Sequence, residues 1–144
     1  MSGRTPHLLV NPEALGPTSG FSHAVLAVNG RTLCVAGQVG SDPTGAIVSG
    51  GIVAQFDAAL GRVVAALADA GGLPEHVVAM TLSTTAMAEY RAERARIGGA
   101  YRAHFGKHFP AMTLVGVTEL LEPAAVIEVT AIAVVPDAVG DSAG

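Results

Sequence analysis

Val126-Ile127-Glu128-Val129-Thr130-Ala131-Ile132-Ala133 reads as a strand with two unlike faces. Successive strand residues point to opposite sides of a sheet, so Ile127, Val129, Ala131 and Ala133 share one side. Val126, Glu128, Thr130 and Ile132 share the other. The first set is wholly apolar and is expected to face a layer of helices. The second is apolar except for Glu128 and Thr130. An unpaired carboxylate among branched apolar residues is costly. Glu128 therefore needs a partner, a proton or a wet cavity, and it is the first candidate functional residue.

Working outward, a preceding strand is predicted over residues 112–118, joined to the last one (125–135) through Glu119-Leu120-Leu121-Glu122-Pro123. Ile52, Val53, Phe56, Leu60, Val63, Val64 and Leu67 form the stripe of a helix over 52–70. Gln55, Asp57, Arg62 and Asp69 fall largely off that stripe. Gly71-Gly72 supplies a left-handed C-cap and Pro74 a stop. A strand is predicted over 77–85. A second helix is predicted over 87–105, burying Tyr90, Ile97, Tyr101 and Phe105. Gly98-Gly99 inside it costs about 1 kcal/mol per glycine relative to alanine. That pair either lets the helix pack closely on another backbone or leaves open space for a ligand. Near the N-terminus, β-rich segments at 23–28 and 32–39 flank Asn29-Gly30, a pair suited to a tight hairpin.

The order ββ, an optional short strand at 46–48, then αβαββ predicts a single α+β domain, with two helices packed on one face of a mixed sheet. The domain is expected over 21–135, after an N-terminal extension (1–20) and before a fraying tail (136–144). Two helices cover only one face of the sheet. The other face, largely apolar, is expected to be covered by further copies of the chain, with Glu128 at or near that interface.

At 144 residues, half of them apolar and 14% charged, the chain has the length and composition of one globular domain. No apolar run reaches the roughly 18 residues that span a bilayer, and the first residues lack a signal peptide's apolar stretch. The cytoplasm is the expected compartment, without a membrane partner. The single cysteine, Cys34, lies among Leu33, Val35 and Ala36 and is expected to be an inert core thiol. A net charge of −4 gives no support to a nucleic-acid partner. Arg91, Arg94, Arg96 and Arg102 are interleaved with Glu89 and Glu93 at helical spacing, the pattern of a solvated, ion-paired face. His104 and His108 stand at i,i+4, but Gly106 lies between them. Surface or interface histidines are expected there rather than a zinc site.

Several motifs in order resemble the RidA/YjgF family over nearly the whole chain. They are Gly20-Phe21-Ser22-His23-Ala24-Val25, Val35-Ala36-Gly37-Gln38-Val39, Ala58-Ala59-Leu60 with Ala70-Gly71-Gly72-Leu73, Tyr101-Arg102-Ala103-His104-Phe105, Phe109-Pro110-Ala111 and Ile127-Glu128-Val129. The resemblance implies a chorismate-mutase-like fold, a homotrimer with clefts between subunits, and hydrolysis of reactive enamines and imines to ammonia and a 2-oxo acid, with no metal and no cofactor. It implies that Glu128 positions water and shuttles protons and that Gly37 offers backbone contacts. Phe21, Gly98, Met112 and Thr113 complete the substrate-binding set. The chain also departs from the pattern. Met112 stands where an arginine would clamp the substrate carboxylate, and methionine has neither charge nor donor. Phe21 replaces the pocket tyrosine, Ala36 a serine, and Gly98 a polar asparagine. Two readings follow: a divergent deaminase or hydrolase using Glu128, or a non-catalytic small-molecule binder.

Overall fold

The computed structural model describes residues 4–137. Strands β1 (Leu8–Val10) and β2 (Ala24–Leu26) form a short antiparallel ribbon. There follow β3 (Gly30–Val39), α1 (Gly51–Asp69), β4 (Val77–Thr84), α2 (Met87–Ala92), α3 (Arg94–Phe105), β5 (Ala111–Gly116) and β6 (Ile127–Pro136). The main sheet runs β3-β6-β4-β5. Its β4–β5 pair is parallel and the others antiparallel, so the sheet is mixed as predicted. All three helical segments belong to one layer over one face. Most of the tail expected from 136 lies outside the described residues, although Pro136 closes β6.

The α1 stripe is buried against the sheet through Ile52, Phe56, Ala59, Leu60, Val63 and Leu67. Although α1 is 19 residues long with a mean hydropathy of 1.4, it serves as the core helix of the domain. It ends as its glycines demand: Gly71 takes φ +79°, and the Gly72 N–H donates to the Leu67 carbonyl at 2.7 Å. Ile127, Val129, Ala131 and Ala133 of β6 meet the helices and are buried, whereas Thr130 and Ile132 on the other face are exposed.

Four expectations change. Asn29-Gly30 makes no hairpin, because β2 pairs with β1, and β3 starts at Gly30 opposite Pro136. Gly30 has no positive φ; a Cβ there would collide with the Val135 backbone, so the glycine serves a close approach of β3 to β6. Secondly, the helix over 87–105 breaks at Glu93. Glu89 Oε1 accepts from the Ile52 N–H at 3.2 Å, tying α2 to the N-terminus of α1, while Ile97, Tyr101 and Phe105 pack α3 on the core. Thirdly, Cys34 is exposed, on the bare face opposite Ile132. Lastly, Gln55 is buried. Its Nε2 donates to the Ala124 carbonyl at 3.2 Å and its Oε1 accepts from the Val126 N–H at 2.9 Å, so α1 grips the chain two residues before Glu128.

The N-terminal residues are also fastened to the domain. Thr5 Oγ1 donates to the Glu75 carbonyl at 2.8 Å. His7 Nε2 bonds the carbonyls of His76 (3.1 Å) and Val134 (3.0 Å), and its Nδ1 accepts the Val28 N–H at 3.2 Å.

Candidate functional site

In β3 the register slips between Val35 and Gln38: Val35 stands opposite Ala131, but Gln38 stands opposite Val129. The extra residue is accommodated at Ala36-Gly37, a bulge of the kind that re-aims neighbouring side chains. Glu128 lies across this bulge. A Cβ at Gly37 would overlap the Glu128 carboxylate, sitting 2.7 Å from its Cδ, so the glycine makes room for the acid. Glu128 is half-buried, and among the described residues no salt bridge reaches it.

Register places the other candidates. Ser83 of β4 is opposite Glu128 and in line with Val115 of β5. Thr81 is opposite Thr130 and in line with Thr113. These residues share the bare face with Glu128. Met112 is in line with Met80, which is opposite the buried Ala131, so Met112 belongs to the helix-side face and packs against the core. The six candidates thus form two groups. Gly37, Glu128 and Thr113 lie on the open face, while Gly98 and Met112 lie on the helix side. Phe21 sits at the β5 edge, where Ser22 bridges Ala111, and borders both. Met112 does not stand beside Glu128 within one chain.

The helix-side group lines a cleft of about 530 Å³ between β5 and the α2–α3 helices. That volume suits a small molecule. Its apolar wall includes Met112, Leu82, Phe109 and Tyr101. Tyr101 stacks between Phe105 and Phe109, with ring centroids 5.0 and 5.5 Å away, and donates to the His108 carbonyl at 2.6 Å. Burial pushes its phenol pKa well up. Tyr90 also lines the cleft; burial raises its phenol pKa, and the positive charge of Arg94 opposes that shift.

The arginines depart most from the expected arrangement. Only Arg96 is ion-paired among the described residues, with Glu93 at 3.1 Å. Glu89 is committed to α1. Arg94 and Arg102 line the cleft, and Arg91 and Arg94 line its continuation past Phe21 and Leu114. Among the described residues, Gly98 packs against no backbone outside its own helix. A Cβ on it would come 3.1 Å from Arg102 Nη1, so the guanidinium folds back over the glycine, while Gly99 faces open space. In the sequence Arg94, Gly98 and Arg102 are spaced i, i+4, i+8, which signals one helix face; the alternating glutamates disguised it as a solvated one.

The histidines serve the fold. His104 bonds Asp57 at 2.9 Å, and His108, expected at a surface or an interface, is buried in the chain with Nε2 2.7 Å from the Val77 carbonyl. No cluster of three or more potential metal ligands occurs among the described residues.

A family profile described as endoribonuclease L-PSP matches residues 11–135. The chain is 33% identical over 135 residues to the protein DfrA of Myxococcus xanthus, covering 93% of this chain and 97% of that one. Among solved structures it is similar to the conserved Rid-family protein YyfB of Yersinia pestis. The TM-score is 0.80 at 33% identity, over 90% of this chain and 98% of that one. A member of the YjgF/YER057c/UK114 family from Mycobacterium tuberculosis superposes with a TM-score of 0.60 at 30% identity, over 90% and 99% of the two chains.

Proposed function

The chain belongs to the Rid/YjgF family, whose profile is described as endoribonuclease L-PSP, and from that premise we infer that it is a cytoplasmic homotrimer that hydrolyses a small imine or enamine in a cleft completed between subunits. The observation that carries this reading is Glu128, held over the Gly37 bulge on a bare sheet face of hydroxyl-bearing and apolar residues, with no ion-pair partner among the described residues. A neighbouring copy docked on that face would bring Glu128 to the Met112 cleft.

In this reading the Glu128 carboxylate takes a proton from water as the water oxygen bonds to the carbon of the protonated imine, giving a neutral carbinolamine. The carboxyl passes that proton to the amine nitrogen, and as the C–N bond breaks the carboxylate takes the proton of the hydroxyl group, leaving a carbonyl compound and ammonia. Ammonia carries this last proton away as ammonium, and Glu128 ends as it began. No metal or cofactor takes part. Met112 puts no cation on β5, so a short 2-imino acid loses the bidentate grip on its carboxylate. One charged hydrogen bond alone is worth about 1.5–3 kcal/mol. Such acids are expected to be poor substrates. The family description names RNA cleavage, but a net charge of −4 suits a small molecule better than a polyanion.

The test is ammonia release from 2-aminoacrylate or 2-iminobutanoate generated in situ. Wild type is expected to be slow, Met112→Arg faster, and Glu128→Ala inert. Wild-type turnover that survives Glu128→Ala would remove the acid–base role. A metabolite binder without turnover is the second reading. It is favoured by the separation of Glu128 from the Met112 cleft within one chain, and inertness of every variant would select it.

A further inference from the structure

The cation missing from β5 has a counterpart on the opposite wall of the same cleft. Arg94 and Arg102 both line it, two helical turns apart, with their backbones separated by about 12 Å along α3. Between them stands Gly98, and the Arg102 guanidinium occupies the space above it. The acids that could have neutralised these arginines act elsewhere: Glu93 pairs with Arg96, and Glu89 bonds the start of α1. The wall facing the guanidiniums carries Met112, Leu82 and Phe109. Positive charge at one side of a groove and thioether and ring surface at the other match an amphipathic anion.

We propose that Arg102, folded over Gly98, and Arg94 form a carboxylate clamp on α3, so that the cleft takes a carboxylic acid whose acid group is separated from its carbonyl or imine carbon by an apolar stem. The two departures at 98 and 112 then act together: removing a side chain at 98 admits the guanidinium, and methionine at 112 receives the stem. A stem is required because the charge sits across the cleft from β5 rather than on it. The apolar wall favours a carboxylic acid over inorganic phosphate. This inference rests on the small-molecule reading above but not on turnover, because its test is binding.

The test uses 5-oxohexanoate, its neutral counterpart 2-hexanone, and the short acid 2-oxobutanoate, with affinities measured by calorimetry or NMR titration on the intact protein. Wild type is expected to bind 5-oxohexanoate at least tenfold more tightly than either of the others. Arg102→Gln should lose at least tenfold for the acid and leave 2-hexanone unchanged. Both arginines are exposed, so neither substitution threatens the core. As a second variant, Gly98→Ala should displace the guanidinium, weaken binding of the acid and raise Tm. Acid binding within twofold of wild type in both Arg102→Gln and Arg94→Gln would overturn the clamp, as would equal affinity for acid and ketone. Displacement of the acid by equimolar inorganic phosphate would overturn the carboxylate assignment. Loss of ammonia release with binding intact removes only the hydrolase reading. Acid binding that survives both arginine substitutions, with turnover intact in wild type, removes only the clamp.

Discussion

Gly37 and Glu128 form a pair in which one residue's missing side chain sets the other's position. A methyl group at 37 would meet the end of a flexible side chain rather than backbone, so the fold can absorb it while the carboxylate cannot stay in place. Gly37→Ala is therefore expected to lower turnover at least tenfold while Tm moves little; a drop in Tm with activity retained would show that the glycine serves folding alone. The buried histidines give a different residue-scale prediction. His108 donates through Nε2 to Val77, and its buried Nδ1 has no partner among the described residues. Protonation would create a buried N–H without an acceptor. His76 Nδ1 accepts the Leu73 N–H and would lose that bond on protonation. Burial lowers the pKa of both rings below the ordinary 6.5. With lowered folded-state values, the unfolded chain binds these protons first. The stabilisation is intact above about pH 6.5 and is lost as pH falls through the folded-state pKa values. The groups around them are Glu75, whose charge works against the shift, and His7, whose charge adds to it. Melting curves between about pH 7 and pH 5 should show Tm falling, and His108→Gln, which keeps a donor for Val77, should flatten that fall.

At the scale of elements, Gln55 shows how a helix positions the strand that carries Glu128. Its amide satisfies one carbonyl and one N–H of the segment leading into β6. Gln55→Ala removes both of these part-buried hydrogen bonds and should cost about 1–3 kcal/mol. Urea denaturation measures the cost, and the same variant should slow turnover because Glu128 follows two residues after Val126. Gly98→Ala in α3 should act in the opposite direction on stability, adding about 1 kcal/mol through helix propensity. Elements whose pattern came from burial were legible in the sequence: the α1 stripe, its Gly71-Gly72 exit, and the two faces of β6. Elements set by backbone proximity or by distant partners were not. Gly30 looks like a turn residue because a glycine needed for a close backbone approach has the same letter as one needed for positive φ. Gln55 looks like a surface residue because its partners lie about 70 positions away. The break at Glu93 separates α2, whose Glu89 bonds the start of α1, from α3, which packs on the core, and spacing within 87–105 cannot express two such different partners. The site was half legible: Glu128 stood out as a charge in an apolar strand, but Arg94 and Arg102 were masked by acids that bond elsewhere.

For the whole molecule, the question is what covers the sheet face opposite the helices. Ile132 is 43% exposed and Val115 39%, and Cys34 lies exposed beside them with Thr81, Thr113 and Thr130. Three copies arranged around these faces would bury them and set each Glu128 against a neighbour's Met112 cleft. Ile132→Glu would place a charge in that contact, so sedimentation at micromolar concentration should change from trimer to monomer. Wild type sedimenting as a monomer would end the proposal. Shared sites make a stricter demand. With the imine of 5-oxohexanoate as substrate, whose acid group would reach Arg102, Glu128→Ala would spoil the sheet half of a site and Arg102→Gln the helix half, so each trimer of a single variant would be impaired at all three sites. In trimers reassembled from equal amounts of the two variants, an intact site needs its helix half from a Glu128→Ala subunit and its sheet half from an Arg102→Gln subunit. Each condition is met half the time, so about one quarter of sites should recover wild-type activity. A site built within one chain offers no such route, and activity at the average of the two variants would place Glu128 and Arg102 in the same subunit's site.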